Sequence, residues 1–60
     1  MKKKYAFLLM GPDFNTEQHQ VCFETGNLIS CLYTVRNSEE ARLKITELAN
    51  DGYGAVELCG

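Results

Sequence analysis

Asn37-Ser38-Glu39-Glu40-Ala41-Arg42-Leu43-Lys44-Ile45-Thr46-Glu47-Leu48-Ala49-Asn50-Asp51-Gly52-Tyr53-Gly54-Ala55-Val56-Glu57-Leu58-Cys59-Gly60 spells a helix, a glycine turn and a strand. Asn37 or Ser38 caps the helix. With Asn37 as the cap, Glu40 falls at the third helical position and completes a capping box. Glu39 and Glu40 also lie at the positive end of the helix dipole. Ala41, Ile45, Leu48 and Ala49 follow the i, i+4, i+7, i+8 spacing of one apolar face. Leu43 falls on the opposite side. Gly52 supplies the left-handed residue that ends the helix. These signals predict a helix over about 38–50 and a strand over about 55–59.

Working outward, Leu28–Val35 is rich in β-branched and aromatic residues and reads as a strand. Ile29, Cys31, Tyr33 and Val35 make one apolar face; Leu28, Ser30, Leu32 and Thr34 make a mixed one, the pattern of an edge strand. Strand, helix and strand with short links form a right-handed βαβ unit with parallel strands. Tyr5-Ala6-Phe7-Leu8-Leu9-Met10 is an unbroken apolar run closed by Gly11-Pro12, predicting a central strand over about 4–10. Between them, Asn15-Thr16-Glu17-Gln18 has capping-box spacing, which predicts a short helix over about 16–22. Thr25-Gly26-Asn27 then turns the chain, with Gly26 and Asn27 tolerating positive φ.

The expected fold is a single small α/β domain spanning residues 1–60, with a three-stranded parallel sheet of order 2-1-3 and one short and one long helix. The alternative is a split ferredoxin-like half with one antiparallel strand.

Sixty residues bury too little surface for a comfortable margin of stability, so disulfides, metal or association must contribute. Cys22, Cys31 and Cys59 are an odd set among apolar neighbours. They read as reduced core residues in a cytoplasmic protein. A net charge of −2, with Lys2, Lys3 and Lys4 bunched at the start, offers no basic face for nucleic acid. The first apolar run is too short for a signal segment or a membrane span.

In an open α/β sheet, ligands bind beyond the carboxyl ends of the strands, where strand order reverses. Here that rim is bordered by Met10-Gly11-Pro12-Asp13 and Glu57-Leu58-Cys59-Gly60. Asp13 and Glu57 are candidates for a general acid/base pair, and Cys59 for a nucleophile if its pKa is lowered. Gly11, Asp13 and Gly60 are candidates for ligand contact. The plain alternatives are that Asp13 steadies a turn, Glu57 guards an edge strand and Cys59 packs in the core. His19 and Cys22, three apart, fall short of a zinc set, so neither metal nor cofactor is expected.

Tyr5-Ala6-Phe7-Leu8, Gly11-Pro12-Asp13-Phe14, Glu17-Gln18-His19, Glu24-Thr25-Gly26, Ser38-Glu39-Glu40-Ala41 and Val56-Glu57-Leu58-Cys59-Gly60 together resemble a group of short bacterial proteins classed as a domain of unknown function. The resemblance runs along the whole chain. It implies an α/β fold, supplies no activity, and implies continuation past Cys-Gly into glycines, a helix and a further strand, so that this chain looks truncated.

The expected function is a self-associating cytoplasmic module, a homo-oligomer of dimer size or higher, with a small-ligand pocket at the strand ends and neither nucleic acid nor membrane as partner. The rival is a small enzyme using Cys59, Glu57 and Asp13. A third reading, a redox or metal sensor, predicts that the melting temperature depends on zinc or oxidation.

Overall fold

A computed structural model describes residues 2–59. The elements in order are β1 (Lys3–Met10), β2 (Val21–Glu24), β3 (Leu28–Val35), α1 (Ser38–Asn50) and β4 (Ala55–Cys59). They form one four-stranded sheet in the order β2-β3-β1-β4. β1 runs parallel to both β3 and β4, and β2 pairs antiparallel with β3.

The expected three-stranded parallel sheet of order 2-1-3 is therefore incorrect, as is the split ferredoxin-like half. The error lies in residues 16–22. Asn15 does act as a cap: its side chain accepts from the backbone N–H groups of Glu17 at 3.0 Å and Gln18 at 3.1 Å. His19 N–H then donates to Asn15 O at 2.8 Å, closing one turn. The turn goes no further, because Val21-Cys22-Phe23 is β-branched and aromatic sequence that gains more by pairing with β3. The expected short helix is thus a single turn followed by an edge strand. β3, read as an edge, is interior. Its mixed face is explained instead by a sheet covered on one side.

A three-residue loop, Thr25–Asn27, joins β2 to β3, with Thr25 N–H donating to Leu28 O at 2.9 Å. Gly52, at φ 88°, is the glycine in the left-handed region among the described residues; Gly26 is not in it. Gly52 sits at the foot of α1 in a Schellman arrangement. Tyr53 N–H reaches Leu48 O at 3.0 Å and Gly52 N–H reaches Ala49 O at 3.2 Å. At the other end, the Asn37 side chain accepts from Glu40 N–H at 2.9 Å. Glu40 does not return the bond to Asn37. It accepts from Arg36 N–H and Nη2, both at 2.8 Å, which holds its carboxyl below the usual carboxylate range.

Strand alternation assigns the two faces. Ala6, Leu8, Val35, Ala41 and Leu48 form the buried core, with Met10, Tyr33, Tyr53 and Val56 packed against it. Leu8 is 0% exposed. α1 packs on β1 and β3 through Ala41 and Leu48, while Ile45 and Ala49, on the predicted apolar face, are exposed. Among the described residues, no helix lies on the opposite sheet face. Phe7 (37% exposed), Tyr5, Val21 and Phe23 (66% exposed) lie on it beside Leu32.

Candidate functional site

Antiparallel pairing sets Cys22 of β2 directly opposite Cys31 of β3, with Cα atoms 4.0 Å apart, and the two sulfurs are bonded. The reading of all three cysteines as reduced core residues is corrected here. Nine residues of separation looked like no framework, yet the hairpin folds that distance into a cross-strand pair. Cys59 remains a free thiol, exposed at the end of edge strand β4 and not in the core. With the disulfide in place, the cysteines no longer give a ground for expecting a cytoplasmic protein.

The disulfide is asymmetric. Cys31 is 2% exposed, whereas Cys22 lies exposed on the edge strand. Two tyrosines frame it. The Tyr33 hydroxyl, two residues beyond Cys31 on the same face of β3, lies 3.7 Å from Cys22 Sγ. The Tyr53 hydroxyl lies 3.4 Å from Cys31 Sγ, and the two hydroxyls are 3.5 Å apart. Bonded sulfurs carry no hydrogen, so both can only accept. The hydrogen bond with Tyr33, followed by burial, pushes the Tyr53 phenol up to about 12, so it keeps its proton at neutral pH. Lys4 Nζ stands 5.3 Å from the Tyr53 ring centre and Lys44 Nζ 4.9 Å from that of Tyr33, both within cation–π range. A cleft of about 550 Å³ opens beside Tyr33 and Lys44, with Gln20, Glu47 and Asp51 on its walls.

The rim expected from the sequence is split. Gly11 and Asp13 line a hollow of about 310 Å³ together with Pro12, Phe14 and His19. Gly11 approaches Phe14 so closely that an added Cβ would stand 3.0 Å from the ring. Phe14 and His19 meet edge to face at 5.8 Å. Cys59 pairs in register with Leu9 and Glu57 with Phe7, and neither lines the hollow. Asp13, Glu57 and Cys59 are all exposed, and among the described residues no side-chain hydrogen bond joins any two of them. Gly60 lies outside the described residues. Among the described residues no three His, Cys, Asp or Glu side chains gather as a metal set; His19 turns its Nδ1 to Asn15 N–H at 2.9 Å.

Sequence reasoning missed the Tyr33–Tyr53–disulfide cluster. The available signal was the alternation that puts Cys31 and Tyr33 on one face. What was lacking was the strand carrying Cys22.

Fold and sites together define a small mixed α/β protein: a four-stranded sheet, one covering helix and a cross-strand disulfide. Residues 3–60 match a family of unknown function, DUF6506, and the chain belongs to it. No curated protein matches the chain, and no solved structure does. Among the described residues no helix is long and apolar enough to cross a membrane.

Proposed function

We propose that this chain is a self-associating α/β module that pairs with a second copy through the sheet face turned away from α1. The observation that carries the reading is the exposure of Tyr5, Phe7, Val21 and Phe23 on that face. Sheets built largely of parallel strands bury both faces, and among the described residues this one has a helix on one face only. Strands of 8, 4, 8 and 5 residues, at about 3.3 Å per residue and about 4.8 Å between strands, make a face of roughly 400 Å² in plan. Side-chain relief raises its accessible area toward the ~800 Å² per partner of a specific interface. A second copy presents the same apolar surface, and a two-fold axis closes the pair without leaving either face bare. Aligned sheets stack about 10 Å apart, near the packing distance of a sandwich core.

The small-ligand part of the reading attaches to the hollow of Gly11, Asp13, Phe14 and His19, whose walls are mostly apolar with one carboxylate and one imidazole. The enzymatic alternative lacks support, because among the described residues no side-chain hydrogen bond joins any two of Cys59, Glu57 and Asp13 and neither Cys59 nor Glu57 lines that hollow. Sedimentation velocity of the purified chain at micromolar concentration tests association. A dimer-sized species is expected, and a folded monomer throughout would overturn the reading.

A further inference from the structure

We propose that Cys22–Cys31 is a thiol–disulfide exchange centre that accepts electrons from a small-molecule thiol, with Cys22 as the attacked sulfur and Tyr53 as the hydrogen-bond donor to the departing Cys31 sulfur. Exchange requires a thiolate to reach one sulfur while the other leaves with the bonding electron pair. Access decides which is which. Cys31 is 2% exposed and closed to an incoming thiolate, whereas Cys22 lies exposed on β2.

A thiolate released at Cys31 is a charge in a closed apolar setting, which is costly unless a donor faces it. The Tyr53 hydroxyl stands 3.4 Å from that sulfur. It is positioned by the helix end, where Tyr53 N–H is tied to Leu48 O, and it is backed by the Tyr33 hydroxyl at 3.5 Å. Lys4 and Lys44 over the two tyrosine rings add positive potential to the side on which negative charge develops. The phenol keeps its proton at neutral pH and does not compete as an anion; its single O–H, shared with Tyr33 in the oxidised protein, turns to Cys31 Sγ when the thiolate forms there, and the Tyr33 hydroxyl then donates to the Tyr53 oxygen.

The balance closes with the thiol alone as co-reactant. The first thiolate bonds to Cys22 Sγ, breaking the Cys22–Cys31 bond and leaving Cys31 as thiolate, which takes a proton from solvent. A second thiolate attacks the thiol-derived sulfur of the mixed disulfide and releases Cys22. Two thiols become one small disulfide, and the protein gains two electrons and two protons. The observation is independent of the uncovered sheet face.

The test uses the full chain carrying Cys59→Ser, so that Cys22 and Cys31 are the only thiols formed. Reduced glutathione at neutral pH is the probe, with acid quenching, alkylation and peptide mass mapping. The expected result is reduction under native conditions, with the transient glutathione adduct on Cys22. Adding Tyr53→Phe should slow the first step about tenfold, the loss of one hydrogen bond to a charged group. A merely structural role for Tyr53 predicts the reverse, because a loosened fold exposes the disulfide and speeds reduction. Tyr33→Phe should slow it less, since Tyr33 does not face the leaving sulfur. The proposal is overturned if reduction needs denaturant, if the adduct maps to Cys31, or if Tyr53→Phe leaves the rate unchanged or raises it.

Discussion

Phe7 of β1 and Leu32 of β3 are register partners on the sheet face that α1 does not cover, while their neighbours Leu8 and Cys31 are closed off on the other. One residue of alternation separates the most buried side chain of the core from a phenylalanine that is 37% exposed. Stability is therefore concentrated on a single side of the sheet. Leu8→Ala should cost about 2–5 kcal/mol. In a 60-residue domain that is enough to leave much of the chain unfolded. Circular dichroism with a urea titration checks it; retention of the parental midpoint would contradict the one-sided core.

The helix depends on its two ends. Asn37→Ala removes the acceptor for Glu40 N–H and should cost about 1 kcal/mol. Gly52→Ala places a side chain at φ 88° and should cost roughly 1–2 kcal/mol, although no neighbour lies within 4 Å of the added Cβ. The second cost arises from backbone conformation alone. Urea midpoints of the two variants measure both, and the losses should add, since the sites lie at opposite ends of α1.

The local signals that were legible are those decided within a few residues. Tyr5–Met10 and Leu28–Val35 are strand sequence by content, Asn37 is a cap by type and spacing, and Gly52 is a helix stop. Residues 16–24 were not legible for the opposite reason. Asn15 starts a turn by local rules, but Val21–Glu24 is a strand only because β3 offers it a partner. The disulfide and the tyrosine pair inherit that ambiguity, since Cys22 meets Cys31 only after β2 is placed. Cys59 has apolar neighbours in sequence, and its exposure follows from its place on outer strand β4, in register with Leu9 on the sheet face that α1 does not cover. Glu57 shares that edge.

The Tyr53 phenol, raised to about 12 by Tyr33 and by burial, gives an alkaline signature. A group whose folded pKa exceeds its unfolded value near 10 contributes stability below pH 10 and loses it as pH rises through 12. Stability should fall over that window, and Tyr53→Phe should remove this component while leaving lysine titration in place. Urea midpoints across the window, variant against parent, isolate it. Parallel curves would contradict the shared tyrosine hydrogen bond.

Thiol accessibility separates the three cysteines. In the oxidised native protein an alkylating reagent should modify one thiol per chain, at Cys59. Cys22 and Cys31 should become reactive only after reduction. Peptide mass mapping checks both statements, and modification of all three without reductant would contradict the Cys22–Cys31 bond.

The central claim is that the face bearing Phe7, Leu32 and Phe23 is where a second copy docks. The most direct measurement is the dimer dissociation constant by sedimentation for the parent chain, Phe23→Asp and Leu43→Asp. Phe23 lies on that face, whereas Leu43 is an apolar residue on α1, away from it and 55% exposed against 66% for Phe23. Loss of a buried phenylalanine on each partner should weaken association by at least about 1.5–3 kcal/mol, roughly ten- to a hundredfold. The account predicts a dimeric parent, a Phe23→Asp chain that is folded and largely monomeric, and a Leu43→Asp chain that dimerises like the parent. A folded, monomeric parent, or equal weakening by both substitutions, would contradict it.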